Sequence, residues 1–429
     1  MAWDFSTDAD FQGHLDWARR LMIEEVEPLE TLDLPRDVLE RALHPLQEKV
    51  KERGLWAAHL DEKLGGQGFG QLKLGLLNQQ VGRSDFGPFV FGSRAPDAGN
   101  AEILGLNGTS EQKQRYLEPL LAGTYRSAFA MTELGNACSD PTLLEVRAEP
   151  DGDGYVLNGS KWFITQASTA DFFLVMVVTD PDAAPHRRAS IVIVDKDQAG
   201  YRIERDIGSM HDPEPGPNSF ETHSVLTFDG CRIGPEQLLG ERGGGFVIAQ
   251  QRLGPGRIHH CMRWIAQSER ALDMMCERAL YRKSHGRVLG EHQSVQNWIA
   301  DSAAEIHGAR LMTLHAAWRI DNEGSRAARR EIGMIKYHIA KVLLDVIDRA
   351  LQAHGSLGYS TDMPLESMYR TARAARIYDG PDEVHRAVVA RLTLAGYEVP
   401  SDGLPSEYVP RRREVARRRV ADLLDLATT

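Results

Sequence analysis

Apolar positions along the chain change period twice, and those changes divide it into helical, β and helical stretches. Phe11, Leu15, Leu21 and Met22 recur at helical spacing, as do Val38, Leu39, Leu43, Leu46 and Val50. Asn107-Gly108-Thr109-Ser110, running into Glu111–Leu117, predicts a helix start capped by Thr109 or Ser110. From about residue 128 the period shortens. Tyr155–Leu157, Phe172–Val178, Ser190–Val194 and Ser224–Phe228 read as strands, Asp151-Gly152-Asp153-Gly154 as turn chemistry, and Asn158-Gly159 as a two-residue hairpin turn. Gly208–Phe220, rich in Gly and Pro, reads as a long surface loop. After Gly245 helix returns, with Ile265, Ala266, Leu272 and Met275 on one face and Ile335, Ile339, Val342, Val346 and Ile347 on another; both stripes read as core. The expected fold is therefore mainly α with a β insert: helical over 1–127, β over 128–240, helical over 241–398. A tail over 399–429 carries Arg411–Arg413 and Arg417–Arg419 and reads as a basic helix.

Composition narrows the class. The chain has 429 residues, enough for a large core and two or three domains. A net charge of −11, with 26% charged and 42% hydrophobic residues, is ordinary for a soluble globular protein and argues against general nucleic-acid binding. Cys138, Cys231, Cys261 and Cys276 show no CxxC spacing, so reduced thiols are expected. The first residues, Met-Ala-Trp-Asp-Phe-Ser-Thr-Asp, lack the character of a signal or transit peptide, and no apolar run approaches about 18 residues. A cytoplasmic protein without a membrane span is expected. His259 and His260 diverge by about 100° on a helix and make a poor metal pair. No HExxH appears, so no metal is expected. Gly240–Gly245 is glycine-rich but lacks the strand–GxGxxG–helix context of a nicotinamide site.

The segment Ala375–Arg386 carries the most concentrated chemistry. Asp379 precedes Gly380 and Pro381, and proline suits a first helical position because its missing N–H would be unpaired there. Gly380, lying before a proline, is biased away from the α region, so the chain should bend there. Asp382 and Glu383 then fall in the first turn, where negative charge complements the helix dipole. Such a bend can hold the Asp379 carboxylate and its N–H toward one pocket, as removal of a proton beside a carbonyl requires. An exposed helix start with acidic caps would read the same.

Four blocks occur in one order: Phe129-Ala130-Met131-Thr132-Glu133 through Ser139-Asp140, Asn158–Thr165, Arg252–Arg263 and the Asp379 segment. Their order and spacing resemble the acyl-CoA dehydrogenase family from about Leu55 to Leu394, nearest to its branch of members ten and eleven. The resemblance implies an N-terminal helical domain, a β-barrel-like middle domain and a C-terminal four-helix bundle, with FAD wedged between the last two. Phe129, Met131 and Thr132 would line the isoalloxazine, and Ser139 would sit near flavin and thioester. Phe163, Ile164 and Thr165 would complete the apolar slab and its polar edge, Phe163 replacing the usual tryptophan. Arg282, followed by Lys283-Ser284-His285-Gly286, would reach the FAD pyrophosphate of a neighbouring subunit, with His285 in place of a phenylalanine. Gln352 and Gly355 match Gln-x-x-Gly-Gly-x-Gly, interrupted by Ser356, and Pro381, Asp382 and Glu383 complete the cofactor contacts. Leu134 stands where the family has proline, and one extra residue precedes Ser139-Asp140. Contacts that cross subunits imply a homodimer or homotetramer.

The reaction so implied is α,β-dehydrogenation of an acyl-CoA thioester to the 2-enoyl-CoA, a step of fatty-acid β-oxidation. Asp379 takes the α proton as the β hydride goes to flavin N5. Family members stabilise the thioester oxygen with a ribityl hydroxyl and the base residue's own N–H, each donor worth roughly 3 kcal/mol. Most relatives carry glutamate here, one methylene longer. Ser139, Gly254, Arg257 and Gly380 are the expected substrate contacts, although a buried ion pair would also account for Arg257. Leu253–Gly256 offer no alternative acid. An electron-transfer flavoprotein is the expected acceptor. Two rivals remain: a nitroalkane-oxidase-like flavoenzyme, which also uses aspartate, and a non-catalytic DNA-associated homologue suggested by the tail arginines and opposed by the acidic charge.

Overall fold

A computed structural model describes residues 6–421 and 423, with the side chains of 253–255 outside the described set. The expected role of Gly254 therefore lies outside the described residues. The chain opens with α1 (Ala9–Leu21), α2 (Arg36–Glu52), α3 (Gly70–Val81) and α4 (Asp97–Asn107). Asp8 caps α1 by accepting from Phe11 N at 2.8 Å, and Phe11, Leu15, Ala18 and Leu21 then bury one stripe. Thr109 is the expected cap, closed reciprocally by Gln112.

The insert is one eight-stranded sheet. Its strands are β1 (Ser127–Ala130), β2 (Arg147–Asp151), β3 (Gly154–Thr165), β4 (Phe172–Val178), β5 (Ala189–Asp195), β6 (Tyr201–Asp206), β7 (His223–Ile233) and β8 (Leu238–Leu239). The order is β6-β7-β3-β2-β4-β5-β8, with β1 parallel to β4. β4 is apolar throughout because both its faces are covered. Phe172, Leu174 and Met176 join a core with α4, while Phe173, Val175 and Val177 join a second core within the folded sheet.

Asn158-Gly159 is not a turn. The hairpin turns at Gly152-Asp153, where Asp151 pairs with Gly154, and Asn158-Gly159 lies within β3. The register shifts between Leu157 and Gly159, so the pair makes a bulge. Gly159 has φ +126°, a Cβ there would lie 2.9 Å from Val146 Cγ2, and Asn158 Oδ1 accepts from Gly230 N at 2.9 Å. Bulge and turn ask for the same residues, a permissive glycine and a side chain that satisfies backbone.

The C-terminal part packs α5 (Gly245–Tyr281), α6 (Gln293–Glu323), α7 (Arg329–His354), α8 (Leu365–Ala372) and α9 (Asp382–Leu394). One apolar core joins α1–α3 to α5–α8. α4 and the start of α5 instead cover one face of the sheet, through Ala101, Leu104, Ile248 and Ala249. The tail forms α10 (Val409–Arg419), exposed along its length, with ion pairs from Arg411, Arg412 and Arg418 to Asp402, Glu407 and Glu414. Among the described residues no helix is long and apolar enough to cross a membrane, and no group of three or more His, Cys, Asp or Glu could hold a metal.

Candidate active site

Asp379 stands on the bend between α8 and α9 with φ +54°, a left-handed conformation that costs a side-chain-bearing residue on the order of 1 kcal/mol or more. Gly380 follows at φ +96°, and a Cβ there would meet His385 Nε2 at 2.8 Å. Pro381 proves to be the N-cap rather than the first helical residue; α9 begins at Asp382. The surroundings over-determine the bend. Arg257 donates from Nε and Nη2 to the Asp379 carbonyl, each at 3.2 Å, and His385 Nε2 lies 3.1 Å from the same oxygen. Lys336, fully buried, donates to Ala375 O at 2.8 Å and Gly380 O at 3.1 Å. Burial pushes its ammonium down from the usual lysine range. The Asp379 N–H has no backbone or side-chain acceptor among the described residues.

The carboxylate itself faces α5. Asp379 Oδ2 lies 3.3 Å from His260 Nε2, both side chains about one-fifth exposed. Burial pushes this carboxyl up, but the His260 hydrogen bond and charge, with Arg252 and Arg257, outweigh it and hold the group well below the usual carboxylate range. Trp264 and Tyr378 flank the imidazole, and Trp264 Nε1 donates to the Tyr378 hydroxyl at 3.0 Å.

The expected flavin residues of the sheet lie together. Phe129 and Met131 are half-buried beside α4, and the Arg252 guanidinium sits 4.5 Å over the Phe129 ring while bearing electrostatically on Asp379. Thr132 donates to Trp162 O and accepts from Trp162 N, tying the two blocks. Phe163, 41% exposed at φ +61°, stacks on His223 at 4.4 Å, and Thr165 Oγ1 lies 3.0 Å from His223 Nδ1. Ile164 buries its side chain in the sheet core, leaving only backbone for a ligand. Ser139 is exposed on the loop before Pro141. Beneath that loop, fully buried Lys161 pairs with Glu133 at 2.7 Å and donates to Met131 O at 3.0 Å.

Other expected residues are dispersed. Arg282 caps the far end of α5, about 38 Å along the helix from Arg257 at 1.5 Å per residue. Gln352 and Gly355 lie exposed at the end of α7, about 24 Å of helix from Lys336. Glu383 is exposed, whereas Asp382 is buried, pairs with Arg376 at 2.7 Å and leaves Oδ1 without a partner.

Helices, a sheet and a second helical layer around one pinned carboxylate are the layout of a flavin-dependent dehydrogenase. The chain belongs to the acyl-CoA dehydrogenase family, matching its N-terminal domain over residues 10–124, middle domain over 128–215 and C-terminal domain over 243–394. It is 43% identical over 356 residues to FadE2 of Mycobacterium tuberculosis, a probable acyl-CoA dehydrogenase, covering 82% of this chain and 86% of that one. It is 40% identical to acyl-CoA dehydrogenase family member 11 of Rattus norvegicus, covering 82% of this chain but only 45% of that protein. A solved Mycobacterium abscessus structure, provisionally named an acyl-CoA dehydrogenase, superimposes with a TM-score of 0.85 at 39% identity, over 92% of this chain and 100% of that one.

The cofactor of this class is FAD, and the residues present fit it. Phe129, Met131 and the open face of Phe163 offer an apolar slab, and the Thr132 and Thr165 hydroxyls a polar rim. At Gly355 a Cβ would meet nothing within 4 Å, leaving open backbone at a helix end.

Lys336, His260, Arg252 and His223 join this region without a local motif to mark them. Lys336 had a signal: Ile332, Ile339, Ala340 and Leu343, its helical neighbours, are all apolar and buried, so a lone lysine in that stripe must serve a buried acceptor.

Proposed function

We propose that the chain oxidises an acyl-CoA thioester to the 2-enoyl-CoA with Asp379 as the base. The observation that supports this best is the pinning of Asp379: three donors fix its carbonyl and the loop, so the carboxylate is presented from a rigid, strained bend. Bound FAD supplies the hydride acceptor. The chain's own residues do the rest. Arg257 and Lys336 hold the bend, the free Asp379 N–H meets the thioester oxygen, and the carboxylate removes the α proton thereby acidified. Phe129, Met131 and Phe163 keep water from the reacting carbons. Arg282, Gln352 and Gly355 serve the cofactor of a neighbouring copy, so the enzyme is a homo-oligomer. An electron-transfer flavoprotein takes the electrons.

The test is anaerobic mixing with a panel of acyl-CoAs while flavin bleaching is followed. Wild type bleaches; Asp379→Asn stays folded and yellow and bleaches at least about a hundredfold more slowly. Retention of more than a few per cent of the rate refutes the assignment of the base.

A further inference from the structure

We infer that His260 is a positioning residue for the base: its Nε2, 3.3 Å from one oxygen of the Asp379 carboxylate, holds that oxygen and leaves the other for the substrate's α-carbon. The inference rests on the reading of Asp379 as base.

Geometry carries it. With the Asp379 backbone clamped by Arg257 and His385, the remaining freedom of the carboxylate is its two side-chain torsions, and an oxygen held 3.3 Å from Nε2 fixes them. The imidazole is itself held. It stacks on Trp264 at 5.9 Å and 25°, Tyr378 packs 5.3 Å away at 55°, and the indole–phenol hydrogen bond locks those two rings together. A short aspartate so directed by a fixed donor presents one defined oxygen.

The imidazole also sits among fixed neighbours that keep it from turning away from the carboxylate. The charged and titratable groups facing the pair come from every neighbouring element. Tyr378 and His385 come from the bend and α9; Lys336, 5.4 Å over Trp264 and 5.6 Å over Tyr378, comes from α7. Arg252, Arg257 and His259 share α5, and Asp85 and Glu221 bear on Tyr378. No new bond is made: the Nε2 proton stays on the ring, and Asp379 alone receives the α proton.

FAD-loaded wild type, His260→Gln and His260→Phe are mixed anaerobically with butyryl-CoA and octanoyl-CoA between about pH 6 and pH 9. Gln keeps a donor at the same place, so that variant should be no more than about threefold slower than wild type. Phe should be about thirtyfold slower at every pH, with apparent substrate affinity little changed. A second readout uses 3-thiaoctanoyl-CoA, whose sulfur acidifies the α proton without permitting oxidation. The long-wavelength band of its deprotonated form should appear with wild type and His260→Gln and be weaker with His260→Phe. A Phe variant as fast as wild type, or a Gln variant as slow as Phe, overturns the inference; if Phe fails to retain FAD, a Gln variant more than about thirtyfold slower than wild type overturns it. If Asp379→Asn is inactive while both His260 variants behave as wild type, only this inference falls. If Asp379→Asn still bleaches, the reading of the base falls with it.

Discussion

At the scale of single residues, the site is a negotiation of buried charge. The bend at Asp379 was legible in the sequence because its signal is local: the glycine and proline that turn the backbone follow it directly. His260, Lys336 and Arg252 were not, because each reaches the bend from another helix, and adjacent histidines or a lysine in an apolar stripe announce no partner. A second acid shows the same limit. Glu102 on α4 looks like any helical glutamate, yet burial pushes it up to about 7 against the pull of Arg252. A carboxyl raised in the folded state stabilises fully below its unfolded value of about 4.5 and loses that contribution as pH rises through about 7. Glu102→Gln should therefore gain stability relative to wild type as pH climbs from 5 to 8, by about 1–2 kcal/mol at the upper end. Chemical denaturation of both proteins across that range checks it. Parallel curves would mean that Glu102 ionises without cost.

Between elements, the Phe129–Asp140 and Asn158–Thr165 segments are joined by a buried ion pair. Glu133 accepts from Lys161 Nζ, from Glu145 N at 2.7 Å, from Val146 N at 3.1 Å and from Asn136 Nδ2 at 3.0 Å, so it is needed as a carboxylate. Burial pushes Lys161 down to about 8 although Glu133 opposes it, while Glu133 lies below its usual range, its four donors outweighing burial. Two of those donors are backbone N–H groups, which hold Glu133 as the carboxylate. Lys161→Met should cost about 3–5 kcal/mol, since it strands a buried carboxylate. The further change Glu133→Gln should recover part of that loss, giving a coupling above about 1 kcal/mol in a double-mutant cycle by urea unfolding. Strictly additive losses would show the pair to be idle. The strands bearing this pair were readable from apolar runs, as at β4, whereas the β3 bulge was read as a turn because its Asn-Gly serves either structure.

Across the whole molecule, the expected cofactor residues split into two sets that one chain keeps apart. Phe129 and Asp379 are linked through Arg252 on α5, whereas Arg282 lies at the opposite end of that helix, about 38 Å from Arg257. A gap of that length within one subunit agrees with the expectation, carried by the resemblance, that Arg282 serves the cofactor of a neighbouring copy. A two-fold assembly that brings Arg282 of one copy to the flavin of the other resolves the geometry. Complementation tests it. Asp379→Asn alone should bind FAD without bleaching, and Arg282→Glu alone should purify largely colourless, because an acid repels the pyrophosphate. In a mixed dimer of the two, one site inherits both defects, while the other combines the intact Asp379 of one chain with the intact Arg282 of its partner. Random pairing would restore about a quarter of all sites. Co-expressed chains should therefore regain acyl-CoA-dependent bleaching near that fraction of wild type, and mixing pre-formed homodimers without exchange should regain none. Co-expression that yields only the summed activity of the two parents would place Arg282 and Asp379 in the same site or leave Arg282 without a cofactor role.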